Sequence, residues 1–276
     1  MKLYLKTKDY SVSGEDFELI YDKEKEMLVT TPVPQNLDKY YQSENYISHT
    51  DSKKSLIDRL YQAVKLWNLK KKVQIIDNQI VKRKSILDFG AGTGDFLAFS
   101  KAKGFEVFGI EPNASARRRA QEKEVQLVPN IQELAQKKFQ VITLWHVLEH
   151  LPNVDTHIEQ LIPYLENEGV LIVAVPNYKS WDAKHYKSFW AAYDVPRHLS
   201  HFSRTAIAQI FDKHGLKLVS IRPMIFDAFY VSMLSEKYKG SNLHFVKGFF
   251  KGLWSNLNAL FTKEYSSLIY VLKKQV

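Results

Sequence analysis

The 276-residue chain contains no cysteine. Disulfides, thiol nucleophiles and thiolate zinc sites are therefore excluded. Long apolar runs are also missing: none approaches the roughly twenty residues that a spanning helix requires, and Met1-Lys2-Leu3-Tyr4 does not open a signal peptide. The expectation is a cytoplasmic protein. Acids are the scarcer charge, 30 against 39 Lys and Arg, which leaves a net +9. That excess favours acidic partners such as nucleic acid or phospholipid. Yet Lys70-Lys71-Lys72, Lys82-Arg83-Lys84 and Arg117-Arg118-Arg119 fall at helix ends and turns without interleaved aromatics, which is the pattern of solvated faces and not of a single-strand groove. Nucleic acid is not the expected partner.

Glycine is sparse too, 11 in all, so three within five positions stand out. The run Ile86-Leu87-Asp88-Phe89-Gly90-Ala91-Gly92-Thr93-Gly94-Asp95 reads as a buried strand that turns sharply at a ligand, because glycine permits positive φ and close backbone approach. Its spacing is G-x-G-x-G. The dinucleotide fingerprint G-x-G-x-x-G needs a small residue where Asp95 stands, and an acid there would repel a pyrophosphate at the helix N-terminus. A second apolar strand, Glu106 to Ile110, ends in Glu111-Pro112. Glu111 lies roughly twenty residues past the first glycine, where a carboxylate grips both hydroxyls of a ribose. A ribose-bearing ligand without phosphates is implied.

At DFGAGTGD, VFGIEPN, FQVITLWHVLEHLPN and GVLIVAVPN, in that order, the chain resembles the class I S-adenosylmethionine-dependent methyltransferases over residues 38–223. The motif DVPRHLSHFS resembles one subgroup of them. Relatives of this kind often begin with paired zinc-binding cysteines, which this chain lacks; it keeps only the strand-like Phe17-Glu18-Leu19-Ile20-Tyr21. The resemblance implies an α/β, Rossmann-like fold with a seven-stranded, mostly parallel sheet, an antiparallel last strand and helices on both faces. It implies S-adenosyl-L-methionine as cofactor and a small-molecule acceptor methylated at oxygen, nitrogen or carbon. Asp88 with the backbone of Gly90, Ala91 and Gly92 would hold the methionine end, while Gly94 and Asp95 close the turn. Pro112 would border the adenine, with Asn130 at its edge, and Leu144 and Trp145 would offer backbone oxygens to the amino group.

Alternation of pattern along the chain agrees with that fold. Leu56, Ile57, Leu60, Tyr61, Val64 and Trp67 keep helical spacing, Asn113 and Ser203 stand at helix starts, and strands are expected at 125–128, 140–145, 170–175, 217–222 and 266–272. Residues 1–50 read as a loop-rich extension, 51–223 with 265–276 as the cofactor-binding domain, and 224–264 as a helical insertion or lid. Tyr40, Tyr41 and Tyr46 are aromatics that the resemblance places near the cofactor.

Three catalytic candidates stand out: His146, Arg197 and His198. His146 opens at a strand end, where the mouth of the methyl site would be. His198 could take a proton from the acceptor. Arg197 could hold an anionic acceptor, or it could pair with Asp194 and pin the aromatic loop Trp181 to Phe202. His146-Val147-Leu148-Glu149-His150 also spells the H-x-x-E-H of some zinc hydrolases, but Pro152 leaves little helix to display it, and no metal is expected. In the insertion, Phe245, Phe249, Leu253, Leu257 and Leu260 recur at helical intervals. Segment 243–261 is thus a candidate for peripheral membrane contact, although such a stripe is more commonly a packed helix or a dimer contact. The remaining alternatives are a nucleic-acid- or lipid-directed methyltransferase and an NAD-dependent oxidoreductase.

Overall fold

The computed structural model describes residues 2–41, 56–79, 84–134 and 137–275. Tyr46, Lys82 and Arg83 lie outside them. The N-terminal strands are β1 (Lys2–Lys8), β2 (Asp16–Asp22) and β3 (Met27–Thr31); helix α1 (Leu56–Asp77) follows. The central region then alternates β4 (Ser85–Phe89), α2 (Asp95–Lys101), β5 (Glu106–Ile110), α3 (Ala114–Gln121), β6 (Phe139–Trp145), α4 (Val154–Leu161) and β7 (Leu165–Pro176). Beyond it come α5 (Trp181–Tyr186), β8 (Ser200–His201), α6 (Arg204–Lys213), β9 (Leu216–Pro223), α7 (Asp227–Tyr238), α8 (His244–Thr262) and β10 (Ser267–Lys274).

The main sheet has the order β5-β4-β6-β7-β10-β9. Strands β4 to β7 run parallel, and β10 inserts antiparallel between β7 and β9. Among the described residues this sheet has six strands and not the expected seven. The segment at Val125 to Val128 contributes only one parallel bridge, Val128 to Ile110. Pro129 follows at once and has no N–H to extend the ladder.

Strand periodicity explains the core. Along β7, Leu171, Val173 and Val175 enter one buried cluster, while Val170, Ile172 and Ala174 enter the cluster on the other face. Strand β10 divides likewise, with Leu268, Tyr270 and Leu272 on one side and Ile269 and Val271 on the other. A sheet covered on both faces needs such unbroken apolar runs, and each fully buried side chain stabilises by about 1.5–3 kcal/mol. Helix starts follow their caps: Asn113 accepts from Ala116 N at 3.0 Å and Ser203 from Ala206 N at 3.0 Å.

The N-terminal segment is more regular than a loop-rich extension. β1, β2 and β3 form an antiparallel sheet, completed by β8. Phe17, Leu19, Leu28 and Tyr40 of this segment pack with Tyr178, Tyr186, Trp190 and Tyr193 in a third core. The aromatics of the 181–202 segment therefore serve chiefly as core. Asp182 anchors them, accepting from Trp190 Nε1, Ser255 Oγ and Ser266 Oγ, each at 2.7 Å.

Candidate active site

The glycine turn sits at the carboxyl ends of β4 and β5, where open α/β sheets bind ligands. Gly90 has φ 78° and Gly92 φ 54°, a region costly to other residues. At Gly90 an added Cβ would meet Val147 Cγ2 at 2.5 Å, so this glycine lets the turn after β6 pack down. At Gly92 nothing lies within 4 Å of an added Cβ, so this glycine faces open space.

The turn is not a nest of free amides. Gly90 N and Ala91 N donate to Ile110 O at 2.8 and 2.9 Å, and Gly94 N donates to Ala91 O at 3.0 Å. Gly92 N donates to Glu111 Oε2 at 2.9 Å, and Asn113 N to Glu111 Oε1 at 2.8 Å. This corrects the expectation that the amides of Gly90, Ala91 and Gly92 hold the ligand directly. What the turn presents is the Glu111 carboxylate beside the open face of Gly92.

Asp95 is paired within the protein. Lys123 Nζ lies 2.8 Å from Oδ1 and Lys65 Nζ 3.1 Å from Oδ2. Burial would raise its pKa, but these lysines outweigh burial and hold the carboxyl below its ordinary value. Asp95 therefore ties α1 and the end of α3 to the turn, and its charge is spent on lysines. Asp88 is buried and accepts from Thr143 Oγ1 at 2.6 Å. Burial pushes its carboxyl up to about 7, against the pull of Thr143 and Lys72.

Of the expected adenine contacts, Pro112 and Asn130 are exposed. The Pro112 carbonyl accepts from Arg117 at 2.7 Å, and Asn130 Nδ2 donates to Glu133 at 3.1 Å. Leu144 is buried in β6, beside β7. Trp145 packs edge-on to Phe96 at 5.5 Å, with the Lys72 ammonium 4.3 Å from its ring centre. Its Nε1 is buried without a hydrogen-bond partner. Lys72 lies in a basic run read from the sequence as solvated face; its register with Leu69 and Ile76, which pack on the core, turns it inward, whereas Lys70 and Lys71 are exposed. A cavity of about 420 Å³ lies between α1 and strands β9 and β10. It includes Lys72 and Met224 but not the glycine turn. The chemistry-bearing groups and this hollow are thus separate, and the groups are the better guide to the site.

His146 has φ 55° and is held at both ring nitrogens. Nδ1 lies 3.2 Å from Glu149 Oε1 and Nε2 3.1 Å from Asp227 Oδ2. Burial works against its charged form, but the two carboxylates win and raise its pKa to about 10. At neutral pH it is an imidazolium and no free base. Asp227, at the first turn of α7, had no sequence signal marking it for this place.

Arg197 is buried. Nε donates to both Asp194 oxygens at 3.0 Å, Nη2 to Asp194 at 2.7 Å and Asp9 at 2.8 Å, and Nη1 to Tyr40 O at 3.0 Å. Four of its five N–H groups are thus taken up inside the protein, leaving one on Nη1 of a buried guanidinium, which favours the pairing reading over acceptor binding. Its reach to Asp9, 188 residues away in sequence, pins the N-terminal sheet to the 181–202 segment.

Two imidazoles remain. His150 and His198 meet edge to face at 4.5 Å. His150 Nδ1 lies 3.1 Å from Arg197 O and 3.2 Å from Tyr41 Oη, and burial with the neighbouring His198 lowers its pKa to about 4. His198 Nδ1 lies 2.9 Å from Ala192 O, which assigns its proton there and leaves the Nε2 lone pair, 4.0 Å from Asp194, beyond bonding reach. Glu149 Oε2 is buried without a partner. One donor atom from each of Glu149, His150 and His198 lies within 4.8 Å of the others, the one such cluster among the described residues. This set suits a hydrogen donated by an acceptor molecule, or a small cation. The H-x-x-E-H pattern does not form a helical zinc face, since Leu148–His150 is a single 3-10 turn and His146 is spent on carboxylates.

Residues 46–221 match the family described as methyltransferase domain. No curated protein matches the chain in sequence. Among solved structures, the chain is similar to magnesium protoporphyrin IX methyltransferase from Synechocystis PCC 6803 with bound SAH, at 12% identity and a TM-score of 0.54, covering 86% of this chain and 92% of that one. It is similar to coclaurine N-methyltransferase bound to N-methylheliamine and SAH, at 14% identity and TM-score 0.52, covering 88% and 80% respectively. A mycolic acid cyclopropane synthase complexed with SAH and CTAB aligns at 11% identity and TM-score 0.52, over 74% of this chain and 83% of that one. The chain belongs to the methyltransferase domain family.

Proposed function

We propose that this protein transfers a methyl group from S-adenosylmethionine to a small-molecule acceptor. The observation that carries the reading is the Glu111 carboxylate bonded to Gly92 N beside the open face of that glycine. A dinucleotide would need the amides of this turn for its pyrophosphate, and those of Gly90, Ala91, Gly92 and Gly94 are engaged. A carboxylate in that position suits ribose hydroxyls instead. The acceptor-rich surroundings, with Asp88, Glu111 and the unpartnered Glu149 Oε2, favour a cationic ligand.

When bound, S-adenosylmethionine supplies an electrophilic methyl on a sulfonium, and its transfer is an in-line displacement at carbon. The protein's part is then positioning, exclusion of water and removal of the acceptor's proton. Glu111 orients the ribose. The His146 imidazolium, fixed between Glu149 and Asp227, holds the turn after β6 in place. His198, whose Nδ1 is held by the Ala192 carbonyl, takes the acceptor proton at Nε2, and Glu149 Oε2 accepts a hydrogen bond from the incoming nucleophile. Calorimetry with S-adenosylhomocysteine tests the reading: one site per chain is expected, and absence of binding at millimolar ligand rejects it.

A further inference from the structure

Helix α8 is built inside out for a helix of a soluble core. The face that packs on the protein carries its small residues, Gly248, Gly252, Ser255 and Ala259, all buried. The fit is close: a Cβ at Gly248 would lie 2.4 Å from Met233 Cα, and one at Gly252 2.7 Å from Phe229 Cα, so α8 sits backbone to backbone on α7. Its large apolar residues therefore point away. Phe245, Val246, Phe249, Phe250, Leu253, Trp254, Leu257, Leu260 and Phe261 are all exposed, Phe250 at 62% and Phe261 at 87%.

At about 100° per residue, these nine side chains cover an arc of about 180°. Lys247, Lys251 and Asn258 occupy the next sector, between the apolar arc and the buried seam. Between Lys237 and Lys263 there are five lysines and no Asp or Glu. A continuous apolar face of this kind marks an interaction surface and not scattered exposure. The charge decides among occupants. A second copy of the chain placed across a two-fold axis would bring the same lysines against one another, whereas an anionic lipid surface complements both the apolar arc and its basic rim. No described helix is long and apolar enough to cross a membrane. The geometry points to α8 as an in-plane membrane anchor: we propose that this face docks on an anionic bilayer, with the aromatics in the acyl boundary and the lysines among the phosphates.

The proposal stands independently of the methyl-transfer reading. Its consequence for that reading is positional, since α8 packs on α7, whose Asp227 holds His146 at the site.

Co-sedimentation of the full chain with vesicles tests it. Binding is expected to vesicles containing phosphatidylglycerol, roughly tenfold weaker to pure phosphatidylcholine, and weaker again in high salt. Phe250→Glu with Phe261→Glu is expected to reduce binding at least roughly tenfold, while circular dichroism and melting temperature stay unchanged, because both side chains are exposed. Failure to bind phosphatidylglycerol vesicles overturns the proposal, as does equal binding by the double variant. So does a stable dimer in sedimentation that the double variant dissociates, which would assign the face to a second copy.

Discussion

Asp227 Oδ2 lies 3.1 Å from His146 Nε2, the ring nitrogen that Glu149 does not reach. The imidazole is thereby clamped at a backbone φ of 55°, which a histidine adopts only when its surroundings hold it there. Asp227→Asn removes one of the two charges. The His146 pKa, raised to about 10 in the folded protein, should then fall toward 6.5, read by NMR titration of its ring protons. A raised pKa contributes stability that is complete below the unfolded value and lost as pH rises through the folded one. Urea unfolding should therefore show the variant less stable by about 1 kcal/mol at acidic to neutral pH, after allowance for solvent screening. The gap should close above the folded pKa. A gap that widened with pH would contradict the clamp.

Arg197 makes the opposite kind of prediction. Its guanidinium joins Asp9 and Asp194 in a buried group, so removing it leaves carboxylates without their partner. Arg197→Ala should cost about 3–5 kcal/mol in denaturant unfolding. Arg197→Lys should recover part of that, since one ammonium cannot reproduce the bonds made by three nitrogens. Wild-type stability in the alanine variant, with a weakened acceptor KM, would return Arg197 to acceptor binding.

The two cases show where sequence reading reaches and where it stops. The alternation of Val170 to Val175, the cap at Asn113 and the existence of a strand at Ser267–Lys274 follow local rules, because strand and cap chemistry act over a few residues; the antiparallel direction of that strand came from the resemblance. The glycine turn was legible for the same reason, and so was Glu111 at its fixed distance. What escaped depends on long-range meetings. Asp227 to His146, Lys72 over Trp145 and Asp9 to Arg197 join segments whose separation no period encodes. Residue type misled as well: Asp95 and Arg197 carry charges suited to a ligand, yet the fold spends both on internal pairs.

Gly90 and Gly92 separate packing from binding. Gly90→Ala combines positive φ with a 2.5 Å overlap on Val147, and about 1–3 kcal/mol of stability should be lost. Adding Val147→Ala should restore the share due to overlap. Gly92→Ala meets no atom within 4 Å, so its cost should be near the backbone strain alone, about 1–2 kcal/mol. If the ribose lies on the open face of Gly92, however, S-adenosylhomocysteine affinity should drop at least roughly tenfold, equivalent to about 1.4 kcal/mol. Glu111→Ala should weaken it comparably without unfolding the chain. Unchanged affinity in both would move the ligand away from this turn.

His198 carries the proton-transfer prediction. With Nδ1 on the Ala192 carbonyl, its Nε2 can join Glu149 and His150 in the one such cluster of ligand atoms among the described residues. His198→Ala should slow methyl transfer by roughly a hundredfold or more if it acts as base, while S-adenosylhomocysteine binding persists. Transfer would be followed as label moved from methyl-labelled cofactor to the acceptor recovered by mass analysis. Dialysis against a chelator provides the companion test. If the cluster of Glu149, His150 and His198 receives an acceptor hydrogen, turnover should survive chelation; loss of turnover restored by added zinc or manganese would assign those donors to a metal ion instead.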